Sequence, residues 1–285
     1  MIPTVGFIGA GATASALAAA LQSAGYRING VASRGSSATR LATSLNVPRL
    51  TPDKVASAAD LVLIAVPDDA IESVARSVPW PPGVLVAHVS GSRSLDLLAA
   101  AADRGAAVGS FHPLQSFAGS TSLDGVTFGI EGDDAVYEEL SAVAKALGGR
   151  PLRLEQRQKA IYHLAGTLTS NFQVALAWAA GGLWEQAGLT ASRQEALEMF
   201  LPLIRGTVAN LEGRGVPRAM TGPATRGDGG TVLRHLEALK TLGASDVLSA
   251  YRALMEIAVA VARARGLDRA AAERVTDVLR GMVSR

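Results

Sequence analysis

The chain contains no cysteine, so it forms no disulfide and offers no thiolate site. It also lacks a membrane-length apolar run. Its most apolar helical stretches are interrupted by Gln, Glu or Arg before they reach the roughly 20 residues that span a bilayer, and no membrane contact is expected. Basic runs and aromatic–basic interleaving are missing too. The formal net charge is only +2 over 285 residues, although the pI is about 9.1, so a nucleic-acid surface is not expected. No metal site is expected either. A strand pattern begins at Val5, which leaves no room for a signal peptide and makes a cytoplasmic protein the expectation. What remains is a globular chain whose 48% hydrophobic content can fill the cores of two domains.

Thr4 to Leu21 reads TVGFIGAGATASALAAAL, a buried strand, a glycine turn and an alanine-rich helix in succession. Val5, Phe7 and Ile8 supply the strand. Gly9, Ala10, Gly11, Ala12, Thr13 and Ala14 follow with the G-x-G-x-x-A spacing of a dinucleotide-binding turn. Gly9 permits the tight turn, and Gly11 has no β-carbon to hold the backbone away from a pyrophosphate. Ala14 lets the helix lie close on the strand, and the helix N-terminus supplies free N–H groups and a positive dipole end. A second strand, Ile28 to Ser33, returns about twenty residues later, as a βαβ unit requires.

The tip of that second strand lacks the Asp or Glu that an NAD site uses to accept from the ribose 2′-hydroxyl. In its place stand Ser33, Arg34, Gly35, Ser36 and Ser37, with Arg40 one turn on. Hydroxyls and a guanidinium suit a 2′-phosphate, so NADP is the expected cofactor.

Further short apolar runs read as strands: Asp60 to Pro67, Gly83 to His88, Ala106 to Phe111, Val126 to Ile130 and Arg150 to Leu154, for a sheet of seven or eight. Val66 and Pro67 end the third strand where a nicotinamide would lie, and Asp68 and Asp69 are expected to cap the next helix. Ser90, in the VSGSRS cluster, and His112, in HPLQSF, both sit just past strand ends. From Glu155 strand signals stop. The expectation is therefore α/β, with an N-terminal doubly wound Rossmann domain over 1–154 and an all-α C-terminal domain over 155–285, the site lying in the cleft between them. Long helices are expected at Gln156 to Ala187, Ala191 to Gly213 and Ser245 to Ala264, with a shorter one from Leu267 to Val283. The first should be buried for most of its length, yet Lys159, His163, Thr167, Ser170 and Asn171 fall on one face. Such a polar stripe must meet water or a ligand. In GPATRGD, Arg226 is placed either to clamp an anionic group or to pair with Asp228. Apolar surplus on the later helices leads to the expectation of a homodimer through the helical domain.

The GAGATA turn, VPDD, HVSGS, FHPLQSF, KAIYHLAGTLTSNF, and GPATRGD with its following TVLRHLEAL together resemble Rossmann-like proteins whose C-terminal half is a helical domain of unknown function, number 2520. Nearly the whole chain takes part. The resemblance implies an NADP oxidoreductase related to ketopantoate reductases, β-hydroxyacid dehydrogenases and pyrroline-carboxylate reductases. Lys159 matches the helix lysine of the β-hydroxyacid dehydrogenases, but His163 stands where they carry Asn, which argues against a hydroxyacid substrate. Ser90 and His112 resemble the Ser and the His-Pro of prephenate dehydrogenases, implying contact with a carbonyl, hydroxyl or imine. The expectation is an enzyme moving hydride between NADP and a carbonyl or imine carbon of a small, anionic metabolite, with Lys159, His163, His112, Ser90, Asn171 and Arg226 around the chemistry. The alternative is an NADP-binding sensor or scaffold without turnover.

Overall fold

The computed structural model describes residues 2–117 and 122–281. They form two compact units, Met1–Ser170 and Asn171–Arg285. The first contains β1 (Val5–Ile8), α1 (Ala12–Ser23), β2 (Ile28–Ala32), α2 (Ser36–Leu45), α3 (Pro52–Ser57), β3 (Leu61–Ile64), α4 (Ile71–Ser77), β4 (Leu85–His88) and α5 (Ala99–Ala102). After these come β5 (Ala107–Pro113), β6 (Thr127–Glu131), α6 (Asp134–Ala146), β7 (Arg150–Arg153) and α7 (Lys159–Gly166).

Among the described residues the strands form one seven-stranded sheet in the order β2-β1-β3-β4-β5-β6-β7. β1 through β5 run parallel, β5 and β6 are antiparallel, and β7 runs parallel to β6. The apolar runs that lack alternation are explained by helices covering both faces. With a side-chain period of two, Leu61 and Leu63 enter the core shared with Leu17 and Leu21 of α1, while Val62 and Ile64 enter the opposite core with Ile71 and Trp80. All four residues of β3 are fully buried, each leucine or isoleucine gaining about 1.5–3 kcal/mol from burial.

Two topological features position the site. The chain leaves β1 for β2 on one side and returns to β3 on the other, so the carboxyl ends of β1 and β3 flank the crevice where connections diverge. The reversal at β6 sends β7 toward the far edge of the sheet, and α7 runs back from there, so that Lys159 meets Ser110 and Tyr162, one turn later, meets His112.

The second unit is helical: α8 (Phe172–Gln186), α9 (Arg193–Arg214), α10 (Pro223–Arg226), α11 (Gly229–Thr241), α12 (Ser245–Ala264) and α13 (Arg269–Arg280). Its core joins α10 to α13 through Ala224, Val232, Leu236, Val259, Val275 and Leu279. The C-terminal end expected for the last helix, Val283, lies outside the described residues. Among those described, no helix is long and apolar enough to cross a membrane.

The helix expected over Gln156 to Ala187 is neither continuous nor buried. It starts as a 3₁₀ turn at Gln156–Gln158, becomes α7, widens to a π turn at Thr167–Asn171 and resumes as α8. Threonine hydroxyls account for the widening: Thr167 donates to the His163 carbonyl at 3.2 Å and Thr169 to that of Ala165 at 2.8 Å, competing with the backbone ladder. Ile161, Val174 and Trp178 are 68%, 73% and 65% exposed in the single chain. The polar residues are therefore not a wet stripe on an otherwise buried helix.

Candidate active site

The turn after β1 behaves as its spacing demands. Gly9 has a φ of +119°, and a β-carbon there would collide with the Ala65 carbonyl, so only glycine fits. Gly11 is different. A β-carbon at Gly11 would meet no atom within 4 Å, so nothing in the protein requires glycine there. The open space lies before the N-terminus of α1, whose N-cap makes no side-chain hydrogen bond and whose first turn carries no acid. Its free N–H groups are left for an outside anion.

That space belongs to a cavity of about 890 Å³ walled by Gly9, Ala10 and Gly11 on one side and by Val66 and Pro67 on another. Ala12 and Thr13 open α1, and their side chains do not wall it. At the β2 end the wall is made by Ser33, Arg34, Ser37, Arg49 and Lys54. Arg49 is held there by an isolated bridge between Val31 and Arg49. Its guanidinium donates to Thr39 Oγ1 at 3.3 Å and to the Ser33 carbonyl at 3.4 Å. Ser36 departs from expectation: its hydroxyl accepts from Arg40 at 2.8 Å and is not part of the wall. Three cations, two serine hydroxyls and no carboxylate suit a dinucleotide with a 2′-phosphate. Arg49 and Lys54 follow no motif, and only the fold brings them to Arg34.

Past Pro67 the chain makes a second cluster. Asp68 does not cap the following helix. Its Oδ2 accepts from Ser90 Oγ at 2.9 Å and Ser92 Oγ at 3.2 Å, with Arg93 Nε at 3.9 Å. Ser90 Oγ in turn accepts from the Arg93 N–H at 3.2 Å, tying the VSGSRS turn together. His88, the last residue of β4, is fully buried, and its Nδ1 accepts from the Ser90 N–H at 3.2 Å. Burial, reinforced by the nearby Lys159 charge, pushes its pKa down to about 3, so the imidazole is neutral.

His112 lies across Gly91, where a β-carbon would sit 2.7 Å from its Nε2. The Tyr162 hydroxyl donates to the His112 carbonyl at 3.2 Å, and its oxygen lies 3.0 Å from His112 Nδ1. In that network Nδ1–H donates to Tyr162 and Nε2 is left as an acceptor. Burial, followed by the charges of His163 and Lys159, lowers the His112 pKa to about 4, and burial raises that of Tyr162 to about 12. The His163 ring stands 6.2 Å from that of His112 and is exposed.

Lys159 is 2% exposed, and its Nζ donates to Ser110 Oγ at 2.8 Å and pairs with Glu131 at 3.2 Å. Burial lowers its pKa, with Glu131 opposing. It therefore points into the sheet, whereas His163, Ser170 and Asn171 are exposed. The five polar residues do not form one wall, because a buried ammonium needs a carboxylate and Glu131 supplies it. Ser90 and His112 are brought together with Asp68, Tyr162 and His163. Asn171 and Arg226 belong to the second unit, where Arg226 is exposed and has no ion pair among the described residues. Asp228 instead caps α11, accepting from the Thr231 N–H at 2.9 Å.

Residues 3–113 match the model of a Rossmann-like domain, and residues 126–279 match that of the domain of unknown function DUF2520. No curated protein matches the chain. Among solved structures, a Bacteroides fragilis protein provisionally named an NADP oxidoreductase is 26% identical with a TM-score of 0.74, over 90% of this chain and 98% of that one. Protein TM1727 from Thermotoga maritima is 25% identical with a TM-score of 0.70, over 91% and 99%. An imine reductase from Myxococcus stipitatus, solved with NADP⁺, shares the fold at 18% identity and a TM-score of 0.66, over 96% and 99%. The second match alone spans more than half the chain, carrying the helical unit and the last strands of the sheet together, and the protein belongs to the DUF2520 family.

Proposed function

We propose that the protein is an NADP-dependent oxidoreductase acting on a carbonyl or imine carbon of a small, anionic metabolite, and that it works in the cytoplasm as a homodimer. The observation that carries this reading is the continuity from the cavity to the polar cluster. Val66 and Pro67 wall the dinucleotide space, and the next residue, Asp68, is hydrogen-bonded to Ser90. When bound, NADPH supplies the hydride. The chain binds and orients. Gly9, Ala10, Gly11 and the first N–H groups of α1 hold the pyrophosphate; Ser33, Arg34 and Arg49 hold the 2′-phosphate. Ser90 and His112 offer hydrogen bonds to the reacting group, and Arg93, half-exposed beside Asp68, is the guanidinium placed to take an anionic substituent. His163, exposed and with its ring 6.2 Å from that of His112, is the residue assigned to deliver the proton.

The two-domain assignment is part of the proposal, with 1–154 binding the nucleotide and 155–285 serving substrate and assembly. Trp178, Leu203 and Ile257 are 65%, 72% and 62% exposed, more apolar surface than a stable monomer leaves in water. Light scattering should give a dimer mass at micromolar concentration, and a monomer would reject that part. For the chemistry, NADPH oxidation is followed with a panel of small carbonyl and imine compounds. Tight NADPH binding without oxidation by any of them would favour a sensor or scaffold.

A further inference from the structure

Asp68 occupies an unusual place for a carboxylate. The residue before it walls the dinucleotide cavity, and the turn that holds it, Ser90-Gly91-Ser92, is the turn on which His112 rests. Its two closest partners are neutral hydroxyls. The nearest cation, Arg93, stands 3.9 Å away on a half-exposed side chain, and Asp68 is itself 47% exposed, so its negative charge is held in position but only partly offset. The buried carboxylate nearby, Glu131, is paired with Lys159.

A fixed anion treats the two candidate substrates in opposite ways. Reduction of a carbonyl builds negative charge on oxygen, which a neighbouring carboxylate opposes. An iminium enters as a cation, which the carboxylate attracts. The two reductions also differ in their need for a proton. Hydride reaching an iminium carbon, with the electron pair it brings from the reduced nicotinamide, turns the C=N⁺ π pair into a nitrogen lone pair. The product is a neutral amine and no proton is moved. A carbonyl requires a donor for the alkoxide. Here Tyr162, with its pKa near 12, and His112, near 4, are both far from neutrality, and Lys159 is tied to Ser110 and Glu131. A further imidazole at the cluster, His163, lies exposed at its edge with its ring 6.2 Å from that of His112.

Resting on the oxidoreductase reading above, we infer that Asp68, set by Ser90 and Ser92, selects substrate by charge, and that the protein reduces iminium compounds in preference to ketones or aldehydes. Asp68 acts in capture. It favours the protonated form of an imine and its binding, so its effect falls on KM and on the pH profile more than on the chemical step.

The test begins without turnover. NADP⁺-loaded wild type and Asp68→Asn are titrated calorimetrically with a cyclic quaternary ammonium ion and with the uncharged carbocycle of the same size. Wild type should bind the cation at least about tenfold tighter, a modest value for a half-exposed charge pair. In Asp68→Asn, which keeps an acceptor for both serines, that preference should fall below about threefold with NADP⁺ affinity unchanged. Equal binding of the two probes by wild type overturns the inference. Turnover then compares a cyclic imine with its ketone: the imine should be favoured about a hundredfold in kcat/KM, and Asp68→Asn should move the alkaline limb of its profile to lower pH. A protein that reduces the ketone and not the imine also overturns the inference while leaving the oxidoreductase reading intact. Cation preference without NADPH oxidation by any carbonyl or imine supports Asp68 as a charge selector and rejects the oxidoreductase reading.

Discussion

Removing Arg49 is the perturbation that best separates the 2′-phosphate reading from a merely polar loop. Arg34 and Arg49 are both exposed at the β2 end of the cavity, and Arg49 is positioned by long hydrogen bonds of 3.3 and 3.4 Å to Thr39 and Ser33. Those bonds cost little to give up, so its guanidinium is free to turn to a phosphate. A charge-assisted hydrogen bond is worth about 1.5–3 kcal/mol, and solvent exposure argues for the lower end. Arg49→Ala and Arg34→Ala should therefore each weaken NADPH binding by about tenfold. The double variant should lose about a hundredfold if the two act separately. NADH, lacking the phosphate, should bind wild type at least about tenfold more weakly than NADPH and change by less than about threefold in either variant. Calorimetry with both nucleotides at two salt concentrations is the assay, and the NADPH losses should shrink as salt rises. Equal loss of NADH affinity would mean that Arg49 supports the loop and not the phosphate. Equal affinities for the two nucleotides in wild type would refute the reasoning altogether.

The two glycines of the turn should behave in opposite ways. Gly9→Ala, forced against the Ala65 carbonyl at a φ of +119°, should lower the unfolding midpoint and abolish NADPH binding together, whereas Gly11→Ala should weaken NADPH binding at unchanged thermal stability. Lys159→Met strands Glu131 in the interior and should cost about 3–5 kcal/mol in urea unfolding, with Glu131→Gln recovering part of it; a loss below about 1 kcal/mol would mean that the pair is open to water. His88 and His112 are held neutral with pKa values of about 3 and 4, below their unfolded value of about 6.5. In the window between, the unfolded chain binds more protons, so stability is complete above about pH 6.5 and declines as the pH falls toward 4 and then 3. Urea midpoints across that window should fall, and His88→Gln should flatten the decline; a flat wild-type profile would contradict the burial of both rings.

Much of the first unit is legible in the sequence because its strands are doubly covered. The apolar runs at Leu61–Ile64 and Leu85–His88 announce themselves, and G-x-G-x-x-A names its own turn. The cofactor end is half legible. Arg34 follows β2 directly, but Arg49 arrives through a bridge to Val31 that no local pattern records. The chemical end is the least legible. The expected capping role for Asp68 overlooks an acceptor relation with Ser90, 22 residues away. Tyr162 reads as one more apolar residue on an apolar helix until His112 is placed beneath it. The stripe through Lys159 and Asn171 assumes a helix of uniform period, and the π turn at Thr167–Asn171 breaks that period. The inward turn of Lys159 depends on Glu131, which reaches Ser110 through the antiparallel register of β5 and β6.

That strand reversal also makes the spacing between sheet and helix a functional dimension. Because β7 ends at the far edge, Tyr162 and His163 reach His112 on a helix that starts below and runs upward, and the only slack lies in the few residues between Arg153 and Lys159. Glu155 and Gln158 close that connection with a reciprocal capping box. A single inserted residue there would advance every later position on α7 by about 1.5 Å and swing it by about 100°. Lys159 would leave Glu131 and Tyr162 would leave His112 in the same movement. Length variation should therefore be purged from this connection while being tolerated in surface loops, and an insertion at residue 156 should disable the site more completely than loss of any one side chain that forms it.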